Sequence, residues 1–192
     1  MIKIIDYKAG NAPSVKHAVT HLGIDAQFAR SAVDLLDATH IILPGVGSAK
    51  ATMDSLEEMQ MLPMLEKLVL QEKKPFLGIC VGLQMLFEYS EEGDQKCFGW
   101  LKGNVRRFDR DSVRVPQMGW NEVNFIDGDS GFFYFVNSYY ATPFDPDDIW
   151  ATTDYGGTFA SAVRRGNIHG MQFHVEKSGE AGLALLRRFC SC

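Results

Sequence analysis

Two short stretches of the chain hold residue types that could do covalent chemistry. The first, GICVG (78–82), sets Cys80 between two glycines, directly after the apolar run KPFLGI and before a helix-forming segment. A small-x-Cys-x-small turn between strand and helix is the sulfur form of a nucleophile elbow. The glycines permit a sharp turn. The following helix would aim its N–H groups at the sulfur, lowering the thiol pKa, and the Val81 N–H would face an oxyanion. The second stretch, QFHVE (172–176), places His174 and Glu176 two residues apart. On a strand such residues share a face, and a carboxylate beside an imidazole orients a catalytic base. A thiol, a distant imidazole and a carboxylate brought together by a fold make a nucleophile, its base and the base's orienting group. Each part also has a plainer reading. Cys80 fits a buried core cysteine, and His174 a histidine satisfied by its neighbour.

Elements must carry these residues to one place. IKIID (2–6), HIILP (40–44) and KPFLGI (74–79) read as strands buried on both faces. NAPSVKHAVTHLG reads as a helix, with Asn11 at its cap, Pro13 in its first turn and Gly23 as its stop. SAKATMDSLEEM, residues 62–73 and LQMLFEYS read as further helices. Alternating strands and helices predict an α/β fold with an open, doubly wound, mostly parallel sheet. From about Asn104 the sequence turns to short β-rich runs between Gly, Asp and Pro, ending in NIHGMQFHVE. This predicts a mixed or antiparallel extension in the C-terminal half, closed by a helix over GEAGLALLRRFC. Ligands of open α/β sheets bind at the carboxyl ends of the strands. DYKAGN, PGVGSA and GICVGLQ leave such ends, so they should gather on one edge. PGVG offers unencumbered backbone amides for an oxyanion or a carboxylate, or it is a plain strand-exit turn.

Composition narrows the classes of function. The chain has 192 residues and predicts a single domain, 1–192. A formal net charge of −5, without a basic block, speaks against nucleic-acid binding. No targeting segment is visible, and the longest apolar stretch is too short and glycine-broken to span a bilayer. Cytoplasmic location is expected. Cys97 follows a solvated turn, EEGDQK, and reads as structural, as do Cys190 and Cys192 of the C-terminal C-x-C. No metal-ligand spacing and no phosphate loop are evident, so neither metal nor cofactor is expected. Of the histidines, His17 and His21 belong to the first helix, His40 opens a strand and His169 sits in a Gly-flanked turn.

G-x-C-x-G-x-Q, preceded by P-G-V-G and followed far downstream by H-x-E, resembles the class I (triad) glutamine amidotransferases, whose fold is flavodoxin-like. DYKAGN, ILPGVGSA, KPFLGICVGLQMLFE, SEEG, VPQMGWNEV, YFVNSYY and GMQFHVEKSG run in register over nearly the whole chain. They narrow the resemblance to the branch serving as glutaminase subunits of imidazole glycerol phosphate synthase. The resemblance implies a triad of Cys80, His174 and Glu176, and an oxyanion hole from Val46, Gly47 and Val81. It implies a glutamine pocket of Gly45, Gly47, Gln84, Ser138 and Tyr139. It further implies ammonia transfer to a (βα)₈-barrel cyclase subunit in a heterodimer, with Asn11, Trp120 and Lys177 on the facing surface. Lys8, Gln117, Asn137 and Val175 depart from that pattern, which more often has Gly, His, His and Pro. If His174 and Glu176 lie on a strand, Val175 points to its opposite face and leaves the triad unchanged. The rival readings are a free-standing cysteine hydrolase, a glutaminase subunit of the pyridoxal phosphate or anthranilate type, and a non-catalytic interaction subunit.

Overall fold

A computed structural model describes residues 1–8, 11–128 and 130–191. The first half is built from β1 (Ile2–Ile5), α1 (Ala12–His21), β2 (Ala26–Ala29), β3 (His40–Gly45), α2 (Ala49–Glu58), α3 (Leu62–Glu66), β4 (Phe76–Cys80) and α4 (Val81–Gln84). The second half contributes β5 (Tyr89–Ser90), β6 (Gln95–Lys96), β7 (Gly103–Arg107), β8 (Gln117–Phe125), β9 (Ser130–Asn137), β10 (Tyr139–Pro143), β11 (Ile149–Asp154), β12 (Thr158–Arg165), β13 (Ile168–Met171) and α5 (Gly179–Cys190). Strands β2, β1, β3, β4 and β13 lie side by side in parallel. Beyond β13 the sheet turns largely antiparallel through β12, β10 and β7, while β11, β8 and β9 branch from β12.

Every residue of β1, β3 and β4 is buried. That is why these runs carry no polar alternation: both faces of the parallel half are covered. Helix α1 buries Ala12, Val15, Ala18 and Val19, which the helical period puts on one side. It stops at Gly23, which takes φ +76°. In the antiparallel half, Phe173 is fully buried and packs on Phe133 and Phe135, with ring centroids 4.3 and 5.7 Å away. This anchor sits immediately before His174. Among the described residues, no helix is long and apolar enough to cross a membrane.

Several sequence expectations are corrected. LQMLFEYS does not continue as a helix: α4 is a single turn, and Tyr89–Ser90 pair as strand. Met85, Leu86 and Phe87 are fully buried, so no side of this stretch could face solvent. Their carbonyls are taken by the amides of Phe98, Leu101 and Gly99. NIHGMQFHVE is not one strand: β13 ends at Met171 and a 3₁₀ turn runs Val175–Lys177. GFFYFVNSYY breaks at Ser138 into β9 and β10. His169 lies in β13 rather than in a turn. The sheet also has a parallel edge, β2, that the apolar runs did not announce. Cys192 and part of DYKAGN, residues 9 and 10, lie outside the described residues.

Helix α4 is pressed onto the sheet. A Cβ on Gly82 would overlap the carbonyl of Leu43 in β3, and one on Gly78 would overlap the backbone of Gly82. Backbone cannot step aside as a flexible side chain can. Gly82→Ala is therefore expected to destabilise the chain by about 3 kcal/mol, read as the denaturant midpoint at unchanged m-value. A wild-type midpoint would contradict this packing account.

Candidate active site

Cys80 ends β4 and caps α4 with φ +55° and ψ −110°. This left-handed backbone at a non-glycine residue costs about 1–3 kcal/mol. The flanking glycines serve close approach, and the strained residue is the cysteine itself. In the sheet register Cys80 is opposite Gly45. A Cβ on Gly45 would come within 2.7 Å of the Val81 side chain, so β3 can run alongside the elbow only as glycine. Gly47 turns the chain away at φ +113°. Val81, as the first residue of α4, has an N–H with no partner inside the helix. Because α4 is one turn long, the elbow relies on such local N–H groups rather than on a long helix dipole. The amide of Gln172 donates to the Cys80 sulfur at 3.7 Å.

His174 and Glu176 meet, though not by strand alternation. The His174 N–H donates to the Tyr134 carbonyl at 2.9 Å, which ties the residue to β9. The Ser178 hydroxyl donates to the His174 carbonyl at 2.7 Å and accepts the Tyr134 N–H at 3.0 Å. These bonds, and the amide of Lys177 on the His174 carbonyl, wind the chain into the 3₁₀ turn. Val175 is fully buried within that turn, and its carbonyl leaves no room for a Cβ on Gly182 of α5. The turn sets His174 Nδ1 2.8 Å from Glu176 Oε1, with side chains 2% and 0% exposed. The ring shares one cleft with Cys80, whose sulfur has the Val136 carbonyl 3.9 Å away. Burial opposes a charge on the ring, but the neighbouring Cys80 and Glu176 outweigh it, raising His174 to about 10. Elsewhere the environment works the other way. Burial, with Arg164 and Arg188 nearby, lowers His169 to about 4. Burial and the charge of Glu92 raise the Cys97 thiol to about 11, which fits its structural reading.

A cleft of about 290 Å³ opens at Cys80 and His174. Val46, Gly47 and Val81 line it on one side, and Gln84, Ser138 and Tyr139 on another. Gln84 donates to the Tyr139 carbonyl at 3.2 Å and to Gln172 Oε1 at 3.1 Å, while its own Oε1 is buried and unpaired. Asn137 donates to the Tyr139 carbonyl at 2.9 Å, holding the bend that presents Ser138 and Tyr139. Its partner across β8 and β9 is Gln117, so two of the departing positions face one another. The cleft also contains Glu92, which sequence reasoning left in a solvated turn. Its Oε2 accepts the Ala49 N–H at 2.9 Å, and burial raises its carboxyl pKa. Lys177 reaches the same cleft. Trp120 stands 56% exposed on β8. Asn11 turns inward, its Nδ2 donating to Glu176 Oε1 at 2.6 Å. Lys8 adopts φ +65°, the conformation for which a glycine would be favoured.

The ring's surroundings give a direct test. By ¹⁵N NMR, His174 should remain an imidazolium through neutral pH and lose its proton near pH 10. Cys80→Ala should move that midpoint down. Titration near 6.5 in the parent chain would contradict the ion-pair geometry.

The glutamine amidotransferase class-I family model matches residues 3–191. The HisH subunit of imidazole glycerol phosphate synthase from Leptospira interrogans is 42% identical, over the full length of both chains. The HisH subunit from Dehalococcoides mccartyi (strain ATCC BAA-2266 / KCTC 15142 / 195) is 44% identical over 98% of this chain and 96% of its own. Similarity at 43% also covers 98% of this chain against the chloroplastic imidazole glycerol phosphate synthase hisHF of Arabidopsis thaliana, of which the chain spans about a third (34%). A crystal structure of a glutamine amidotransferase superposes with a TM-score of 0.83 at 20% identity, covering 99% of this chain and 97% of that one. The chain belongs to the class I glutamine amidotransferases and, among them, to the family of HisH subunits of imidazole glycerol phosphate synthase.

Proposed function

We propose that residues 1–192 act as one catalytic domain that hydrolyses glutamine to glutamate and ammonia through Cys80, His174 and Glu176. The observation that carries this reading is the buried His174–Glu176 pair, joined at 2.8 Å, in a cleft that Cys80 and His174 both line at the carboxyl end of the parallel strands. The Cys80 thiolate attacks the side-chain carboxamide carbon of glutamine. The N–H groups of Val81, Val46 and Gly47 receive the oxyanion. His174 gives its proton to the departing nitrogen, the C–N bond breaks, and ammonia leaves a glutamyl thioester. His174, now neutral, takes a proton from water as the hydroxide attacks the thioester. Thiolate departs, glutamate forms and the ion pair is restored. Glu176 keeps the ring oriented and offsets its charge.

The substrate's amino-acid end lies along Gly45, Gly47, Gln84, Ser138 and Tyr139. Glu92 supplies an acceptor for its ammonium group. Met118, Trp120 and Phe132 are 66%, 56% and 61% exposed. They share one face of the β8–β9 hairpin with Tyr134 and Val136, and Val136 lines the cleft. An apolar face continuous with a site that releases ammonia fits a partner that accepts ammonia. The HisH relatives are named as subunits of imidazole glycerol phosphate synthase. On that basis the partner is the (βα)₈-barrel cyclase subunit, docking on Asn11, Trp120 and Lys177. There ammonia yields imidazole glycerol phosphate and an aminoimidazole carboxamide ribonucleotide in histidine biosynthesis, in the cytoplasm.

Cys80→Ala in the complex with the cyclase is expected to lower glutamine-dependent synthesis by more than about 1,000-fold. Synthesis from added ammonium should persist. Continued use of glutamine as nitrogen donor would refute the mechanism.

A further inference from the structure

Asn11 occupies the cap of α1 but does not cap it: its side chain makes no bond to the free N–H groups of the helix. An asparagine used as a cap contributes about 1 kcal/mol, and that contribution is absent here. The side chain instead reaches across the fold, and Nδ2 donates to Glu176 Oε1 at 2.6 Å. The same oxygen faces His174 Nδ1 at 2.8 Å. The other oxygen, Oε2, is buried and has no hydrogen-bond partner among the described residues. A carboxylate with room for about four hydrogen bonds is thus held through one oxygen. His174 is the group it must orient, so Asn11 is the group that holds it from outside the pair.

We propose that Asn11 is a positioning residue, holding Glu176 so that Oε1 meets Nδ1 of His174 and the ring's other nitrogen meets Cys80. This rests on the reading of Cys80, His174 and Glu176 as the catalytic groups. Its consequence is that the β1–α1 junction helps set the geometry of a base contributed from the far end of the chain. Without the amide, Glu176 is free to rotate toward its unpaired oxygen, and the ring loses its fixed orientation.

Asn11→Asp separates this role from helix capping. Aspartate caps a helix as well as asparagine does, and its charge suits a helix N-terminus. It therefore preserves α1 while replacing the donor to Glu176 by a second carboxylate. Glutaminase activity of the full chain without its partner is the readout, so that a lost partner contact cannot account for a change. Asn11→Asp is expected to lower kcat by roughly 10- to 100-fold, with KM within about twofold and a thermal midpoint that is lowered at neutral pH and recovers toward low pH. Paired carboxylates raise each other's pKa, so the pair takes up a proton as pH falls, and the protonated member donates again. The loss relative to the parent chain should therefore shrink toward low pH. Asn11→Ala should show a loss without that pH dependence, and in it the His174 Nδ1–H proton resonance should broaden through exchange. A parent-like kcat and pH profile for Asn11→Asp would overturn the proposal while Cys80→Ala remains inactive. If Cys80→Ala still hydrolysed glutamine, the catalytic reading itself would fail, and the proposal with it.

Discussion

The site depends on how closely α4 sits on the sheet. Gly82 lies against the Leu43 carbonyl, and Gly78 against Gly82 itself, at distances that exclude any side chain. With backbone packed on backbone, the chain must reverse within Cys80, and the cost is a cysteine at φ +55°. The strain is held by neighbours that cannot yield. It lifts the sulfur to the open end of β4, beside the turn of Gly45 and Gly47 and within reach of the base. A looser seat for α4 would let Cys80 relax into ordinary helical or extended backbone and withdraw the thiol into the core.

The second half of the chain answers this with electrostatics. Phe173, fully buried among aromatic rings, fixes the chain just before His174. Ser178 and Tyr134 then bend it so that imidazole and carboxylate meet out of solvent. A buried carboxylate is costly unless paired. Here His174 and Asn11 share one of its oxygens, and the carboxylate offsets the positive charge of the ring. Cys97 and His169 show what burial does without such partners: a thiol pushed to about 11 and an imidazole lowered to about 4.

Local patterns made much of this legible. Fully apolar runs identified β1, β3 and β4, and the G-x-C-x-G spacing identified the elbow, because both depend on neighbours in sequence. The proximity of His174 and Glu176 was also legible, but its cause was not. β-favouring letters around Val175 suggested alternation, whereas the turn is made by Ser178, Tyr134 and the glycine of α5, which contact it through the fold. The helical reading of LQMLFEYS failed for the same reason: residues 97–101 claim its backbone carbonyls. Glu92 was illegible as a site residue, and Asn11, read as a partner-facing position, was illegible as a neighbour of Glu176. One reaches the cleft through a bond to Ala49, 43 positions away, and the other meets Glu176 across 165 positions.

The central claim is that the strained elbow and the buried base make Cys80 the nucleophile for a glutamine side chain. Covalent capture tests it most directly. The chain, with and without its cyclase partner, would be treated with a chloroketone analogue of glutamine and mapped by peptide mass spectrometry. The account predicts a single adduct on Cys80, slowed by added glutamine and absent from Cys97. An adduct distributed over the other cysteines, or none on Cys80 with the partner present, would contradict it.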